Sequence, residues 1–245
     1  MYEKAFSPLE PLDEIGEAPP LPDADSMLLL LDSSDTPQRM QAARAFCDIE
    51  EPKAIDRLIE LLSDECALVR VSAAYALGRN SAPRAVHPLI NALTYDWNGY
   101  VRKGAVWALG NAKDSRALPT LAEVLKQDIT AVRLWAASAL GQLPLPAAIS
   151  PLLDALRDDP IAAVRSNCAW SLGRVLGDVG LAASDASEQS LHQRAIATLI
   201  SALNDEDSSV RDDAQVALQR LGDPAGLEAL AELEGDFLSD FGDEA

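Results

Sequence analysis

The apolar positions of this chain follow a pattern that restarts about every 31 or 32 residues. In Val69-Arg-Val-Ser-Ala-Ala-Tyr-Ala-Leu-Gly78, the residues Ala73, Ala74 and Leu77 stand three, four and seven places after Arg70. That spacing puts them on one face of an α-helix. Equivalent helices end at Gly110, Gly141 and Gly173, and a glycine there suits a left-handed C-terminal cap. Between these helices runs a second amphipathic pattern, at 85–93, 117–125, 147–156 and 195–203. Pro88, Pro119 and Pro151 stand near its starts, where proline is tolerated. Strand signals are absent. One helix pair cannot bury its apolar stripe alone, so the pairs must stack.

An arginine marks the same point in each copy: Arg39, Arg70, Arg102, Arg133, Arg165 and Arg211, at gaps of 31, 32, 31, 32 and 46. So constant a period predicts a repeat architecture. The expected fold is all-α, a right-handed α-solenoid (superhelix) of about six stacked antiparallel helix pairs. The repeats fall at 23–51, 52–82, 83–114, 115–146, 147–176 and 193–222, with half a repeat to 234. The one long gap places an insertion at 177–192, small and polar in composition and expected to form a surface loop. Residues 1–22, with five prolines among acids, read as an extended arm, and 235–245 as an acidic tail.

Charge sharpens this division. The formal net charge is −19. Residues 1–25 hold seven acids and one lysine, and 223–245 hold eight acids and no base, so the body between is nearly balanced. Acidic ends repel phosphates, which argues against nucleic acid as a partner. No apolar run reaches the roughly 18 residues of a membrane span, so no membrane insertion is expected and the chain reads as cytoplasmic. Three cysteines do not suggest a disulfide framework.

Candidate chemistry is sparse. There is no Gly-x-Gly-x-x-Gly, phosphate loop or Gly-x-Ser-x-Gly. The two histidines, His87 and His192, are far apart in the repeat order, and His87 reads as structural. Cys168 replaces a core alanine and reads as a small buried hydrophobe. Cys47 and Cys66 belong to adjacent repeats but form no Cys-x-x-Cys pair. No catalytic residue, metal site or cofactor is assigned from these residues.

Two recurring sets stand out. Asp64, Asp96, Asp128, Asp159 and Asp205 each precede an arginine: Arg70, Arg102, Arg133, Arg165 and Arg211. Such groups can form a ladder between stacked repeats, with each acid also capping a helix start. The second set is aromatic and basic. At about 100° per residue, the position five places after the arginine lies on the side opposite the core face. It holds Arg44, Tyr75, Trp107, Ser138 and Trp170. Neighbouring positions add Arg79, Lys103, Asn111, Trp135, Asn167 and Arg174, and the aromatic stretch before Arg102 adds Trp97 and Tyr100. Large aromatics and arginines on an exposed face are the residue types of binding hot spots.

The repeated Asp-x(4–5)-Val-Arg-x-x-Ala-Ala-x-Ala-Leu-Gly resembles the HEAT repeat in its short, phycobilisome-lyase form, over about residues 23–234. The resemblance implies that the second helices line a concave face. It also implies a protein client held there, in a cyanobacterial setting: a phycobiliprotein, the phycobilisome, or an IscA-type iron–sulfur scaffold. The alternative it implies is a phycobilin lyase or lyase subunit. Tyr75, Trp107, Trp135 and Trp170 would then stack on a bilin, with Arg79 or Arg174 on its propionates. The His-Glu pairs of the iron-binding HEAT-type hydroxylases are missing here, so that activity is not implied.

Overall fold

The computed structural model describes residues 21–179 and 186–240. Most of the arm assigned to 1–22, the end of the tail and the middle of the insertion lie outside these residues. Thirteen α-helices occur among the described residues, with no strand. Six pairs follow one another: α1 (Ala24–Leu30) with α2 (Thr36–Ala45), α3 (Ile55–Leu61) with α4 (Ala67–Arg79), α5 (Val86–Tyr95) with α6 (Gly99–Ala112), α7 (Leu118–Gln127) with α8 (Thr130–Leu140), α9 (Ile149–Asp158) with α10 (Ala162–Val179), and α11 (Ala186–Ala202) with α12 (Ser208–Leu221). A last helix, α13 (Pro224–Asp240), closes the stack. Short 3-10 turns lead into α3, α5, α7 and α9.

The even-numbered helices lie side by side through the whole stack, whereas successive odd-numbered helices meet far less. A stack closer on one side bends toward that side, so the even helices form the concave face. Small residues allow the close approach. A Cβ placed on Gly110 would stand 3.1 Å from the Ala139 Cβ, and one on Gly173 2.8 Å from the Ala217 Cβ. This corrects the expected cap role of these glycines. Gly78, Gly110 and Gly173 lie inside their helices, and Gly141 ends α8 in a right-handed conformation. Among the described residues only Lys113 and Gly222 have positive φ. The sequence keeps glycine because the next helix leaves no room for a Cβ.

The spine of the stack is a row of ion pairs. Arg39, Arg70, Arg102, Arg133 and Arg165 each reach the acid of the following repeat: Asp64, Asp96, Asp128, Asp159 and Asp205. The last four pairs are two-pronged. Arg102 Nε donates to Asp128 Oδ2 at 2.7 Å and its Nη2 to Oδ1 at 2.6 Å. The third prong ties the arginine to its own repeat, as when Arg102 Nη1 donates to the Asp96 carbonyl at 2.9 Å. Each rung therefore joins two repeats through one guanidinium. The paired side chains are 5–17% exposed, well inside the range where losing one partner is costly. Arg211, in the last pair, makes the own-repeat contact to the Asp205 carbonyl at 2.8 Å.

The acids do a second job, different from the expected one. Asp64, Asp96, Asp159 and Asp205 accept the N–H two residues on, from Cys66, Asn98, Ile161 and Asp207, and so shape the turn before each helix. The side-chain caps themselves come from Asn98 on α6 and Asp207 on α12.

Two boundaries change. The expected loop at 177–192 is largely helix: α10 runs on to Val179 and α11 starts at Ala186. Leu176, Ala186, Glu188, Gln189 and Leu191 are good helix formers; reading the stretch as small and polar missed this. Likewise α13 carries residues 235–240 of the expected tail.

Burial alone would raise the pKa values of Asp64 and Asp96. Hydrogen bonds from Arg39 and Arg70, and from the backbone beyond, outweigh burial and hold both below the ordinary carboxylate value. For Asp205 the Arg165 hydrogen bond is the largest influence and also lowers it. A carboxylate with a lower pKa in the fold than in the unfolded chain stabilises the fold fully above the unfolded value, near ~4. That stabilisation disappears as pH falls through the folded value. The urea midpoint is thus expected to hold from about pH 7 to pH 5 and to fall below about pH 4, as followed by circular dichroism. Arg133→Ala is expected to cost ~3 kcal/mol at neutral pH, because it strands Asp159. Arg133→Lys should recover only part, since an ammonium cannot span both carboxylate oxygens. Urea melts of the two variants check this.

Candidate functional site

The twelve residues expected to bind a partner separate into three groups. The first is buried between repeats. Tyr75 is only 5% exposed, which corrects its expected place on the open face. A helical wheel treats a helix as touching one neighbour, but α4 is packed against α3, α2 and α6. The Tyr75 ring meets the Trp107 ring at a centroid distance of 5.5 Å and an angle of 52°. A Cβ on Gly104 would stand 3.4 Å from the Tyr75 ring, and one on Gly78 would overlap Trp107. Burial pushes the Tyr75 hydroxyl up to about 12. Trp107 is half-buried in this contact, with its ring over the Gly78 backbone. Asn111 and Asn167 also bridge repeats: Asn111 Nδ2 donates to the Gly78 carbonyl at 3.3 Å, and Asn167 Nδ2 to the Leu134 carbonyl at 3.4 Å.

The second group lies at the edge where the rungs run. Trp97 and Tyr100 are 78% and 72% exposed. Trp97 sits in the turn between α5 and α6, with the Arg70 guanidinium 5.7 Å from its ring centroid. This is the loop edge of the stack, so these two residues do not join the concave set.

The third group is on the concave face. Trp170 on α10 is 39% exposed, and the Arg174 guanidinium lies 5.0 Å from its ring centroid. Trp135 on α8 carries the Lys103 ammonium, from α6, at 5.1 Å. Arg44 on α2 is exposed. Arg79, also exposed, faces Glu50 at 3.4 Å. A shallow groove joins α8, α10 and α12, lined by Leu134, Ser138, Ser166, Trp170, Ser209 and Asp213. Ser166 donates to Asp213 across it. A cation held over an indole is attracted by the ring's negative face and keeps outward-facing N–H groups for a ligand.

The cysteines are not part of this face. Cys168 is buried, and burial raises its pKa. Cys47 packs between repeats, with its Sγ near the Ala43 and Ser72 carbonyls, and burial raises its thiol to about 12. His87 is exposed on α5, and His192 Nε2 lies 3.0 Å from Asp223 Oδ2. Among the described residues no three His, Cys, Asp or Glu side chains converge as metal ligands.

Sequence reading missed Asn80. It is buried, its Nδ2 donates to the Phe46 and Ile49 carbonyls at 2.9 and 3.0 Å, and its Oδ1 accepts from Glu51 N at 2.7 Å. The signal was present: ten places after the arginine, the next three copies have Ala112, Leu143 and Val175.

These features agree with comparisons to known proteins. Residues 24–99 and 86–173 match the family model for HEAT repeats, and the chain belongs to the HEAT-repeat family. Its short period and structural likeness place it with the phycobilisome-lyase type. The complex of CpcE and CpcF of phycocyanin lyase from Nostoc sp. PCC7120 is 26% identical with a TM-score of 0.59, covering 91% of this chain and 86% of that one. A designed armadillo repeat protein in complex with the peptide (KR)4 shares the fold, with 22% identity and a TM-score of 0.62 over 82% of this chain and all of its own. Among curated relatives, a HEAT repeat-containing taxis protein of Halobacterium salinarum is 28% identical over 149 residues, 60% of this chain and 33% of the relative. Deoxyhypusine hydroxylase-B of Oryza sativa is 36% identical over 100 residues, 40% of this chain and 32% of the relative. The chain thus spans about a third of the length of these curated relatives. No helix among the described residues is long and apolar enough to cross a membrane.

The two tryptophans should behave differently when removed. Trp107→Ala is expected to cost ~2–3 kcal/mol, since its ring fills a contact between repeats. Trp170→Ala should cost less than half as much. Paired urea melts decide it; equal losses would move Trp170 into the packing group.

Proposed function

We propose that this protein is a non-catalytic scaffold whose concave face holds a client protein. The observation that carries this reading is the pair of part-buried indole–cation contacts, Lys103 on Trp135 and Arg174 on Trp170, on a face built from rigid helices. Tryptophan and arginine dominate hot spots because they combine large contact area with directed polar groups. Rigid helices also spare the ordering cost that a loop site incurs on binding. The ion-pair ladder fixes the curvature and leaves the concave residues free for contact.

The client we infer is a phycobiliprotein. The likeness to the phycocyanin lyase complex, which extends over 91% of the chain, supports this assignment. It also favours a second reading, a subunit of a bilin lyase, in which Trp135 and Trp170 stack on the tetrapyrrole and Arg174 meets a propionate. Immobilised wild type, Trp170→Ala and Trp97→Ala should be titrated with purified apo-phycocyanin by surface plasmon resonance. Wild type and Trp97→Ala are expected to bind alike, with Trp170→Ala at least tenfold weaker. No binding by wild type would remove the phycobiliprotein as client. Equal binding by Trp170→Ala would remove the concave face as the site. Mixing with phycocyanobilin separates the two readings: a scaffold leaves its absorption spectrum unchanged, and a lyase subunit shifts it.

A further inference from the structure

We propose that the concave face selects an acidic segment of its client, with carboxylates received by Lys103 and Arg174. This rests on the scaffold reading above and adds the chemistry of the bound segment. It follows from where the charges sit in a chain with 39 acids and a net charge of −19. The five concave helices from α2 to α10 contain one carboxylate, Asp178, near the end of α10. The convex side is different: α3 holds Asp56 and Glu60, α7 Glu123, and α9 Asp154 and Asp158. The concave helices also carry nine lysines and arginines, whereas α3, α7 and α9 carry one each, Arg57, Lys126 and Arg157. The ladder arginines are consumed by the acids of the turns, and Arg79 faces Glu50. Lys103 and Arg174 have no acid partner among the described residues; each lies over an indole instead. Exposed Arg44 likewise lacks an acid partner among the described residues.

The global charge argues the other way, and magnitudes decide. A field of −19 attracts a basic peptide and repels an acidic one at long range. At physiological salt the Debye length is about 8 Å. Acids on the convex side are therefore screened from the groove. A carboxylate in contact with Arg174 is a few Å from its partner and is hardly screened. The groove between α8 and α10 adds Leu134 and Trp170 as apolar contacts beside the cations. Asp212 and Asp213 arrive only with α12, where Ser166 already donates to Asp213. The acid-receiving stretch thus spans α6 to α10 and ends at α12.

The test uses three fluorescein-labelled peptides and fluorescence anisotropy on the full chain: (Glu-Leu)4, (Gln-Leu)4 and (Lys-Arg)4. We expect (Glu-Leu)4 to bind at least tenfold more tightly than (Gln-Leu)4, and to weaken with added salt. Lys103→Glu and Arg174→Glu should each weaken it about tenfold with unchanged circular dichroism. Lys126→Glu, an exposed charge on convex α7, should not. Equal binding of (Gln-Leu)4, preference for (Lys-Arg)4, or indifference to both charge reversals would each overturn the proposal. An eight-residue oligothymidylate that outcompetes (Glu-Leu)4 would overturn the protein segment as ligand. If (Glu-Leu)4 fails but apo-phycocyanin binds in a Trp170-dependent way, only the acidic preference falls. If both fail, the concave-face reading falls with it.

Discussion

One interaction sets the terms for the rest of this molecule: a guanidinium that holds its own turn by a carbonyl and the next repeat by a carboxylate. Helices of seven to eighteen residues, rich in alanine, have little flat apolar area with which to fix their relative angle. Small-residue contacts permit close approach but slide easily. The rung fixes register, because a planar fork meets a carboxylate in few orientations. Five such rungs run along one edge of the stack. The remaining polar contacts between repeats, such as Asn80, Asn111 and Asn167, act against backbone carbonyls that the rungs have already placed.

Much of this was legible in the sequence, for a physical reason. Register in a repeat protein is a local problem solved the same way each time, so its solution recurs at a fixed period. A ladder between repeats is expected because Asp96 and Arg102 recur at a fixed period; that Arg70 reaches forward to Asp96 is visible only in the stack. The glycines recurred just as clearly, but their role was misread. Gly110 looks like a helix end when its helix is considered alone, and like a close contact only when Ala139 is beside it. Tyr75 failed for the same reason. Its helix has three packed sides, and a single periodicity cannot reveal the third. Asn80 escaped because the pattern rests on what the copies share, and Asn80 is where one copy departs from the apolar residue of the next three.

The candidate site was legible in part. Lys103, Trp135, Trp170 and Arg174 were picked out as residue types suited to binding, and they meet as two pairs. Trp97 and Tyr100 belong elsewhere because Trp97 stands in the turn before α6 and Tyr100 in the first turn of that helix, at the loop edge of the stack. The distribution of acids was available from the sequence, but it becomes informative only after each helix is assigned to a side of the stack. A net charge of −19 describes the whole chain; the helices from α2 to α10 on the concave side have the opposite sign.

The rung between Arg165 and Asp205 spans 40 residues, where its predecessors span 25 or 26, yet its contacts of 2.8 and 2.7 Å match theirs. The extra chain left the stacking geometry unchanged. Even a fully flexible connection would cost only about 0.6 kcal/mol of closure entropy per doubling of its length, and here most of the added residues extend α10 and α11. The junction between α10 and α11 is therefore a place where this architecture accepts new sequence almost freely. A foreign peptide grafted there is expected to leave the curvature of the stack unchanged.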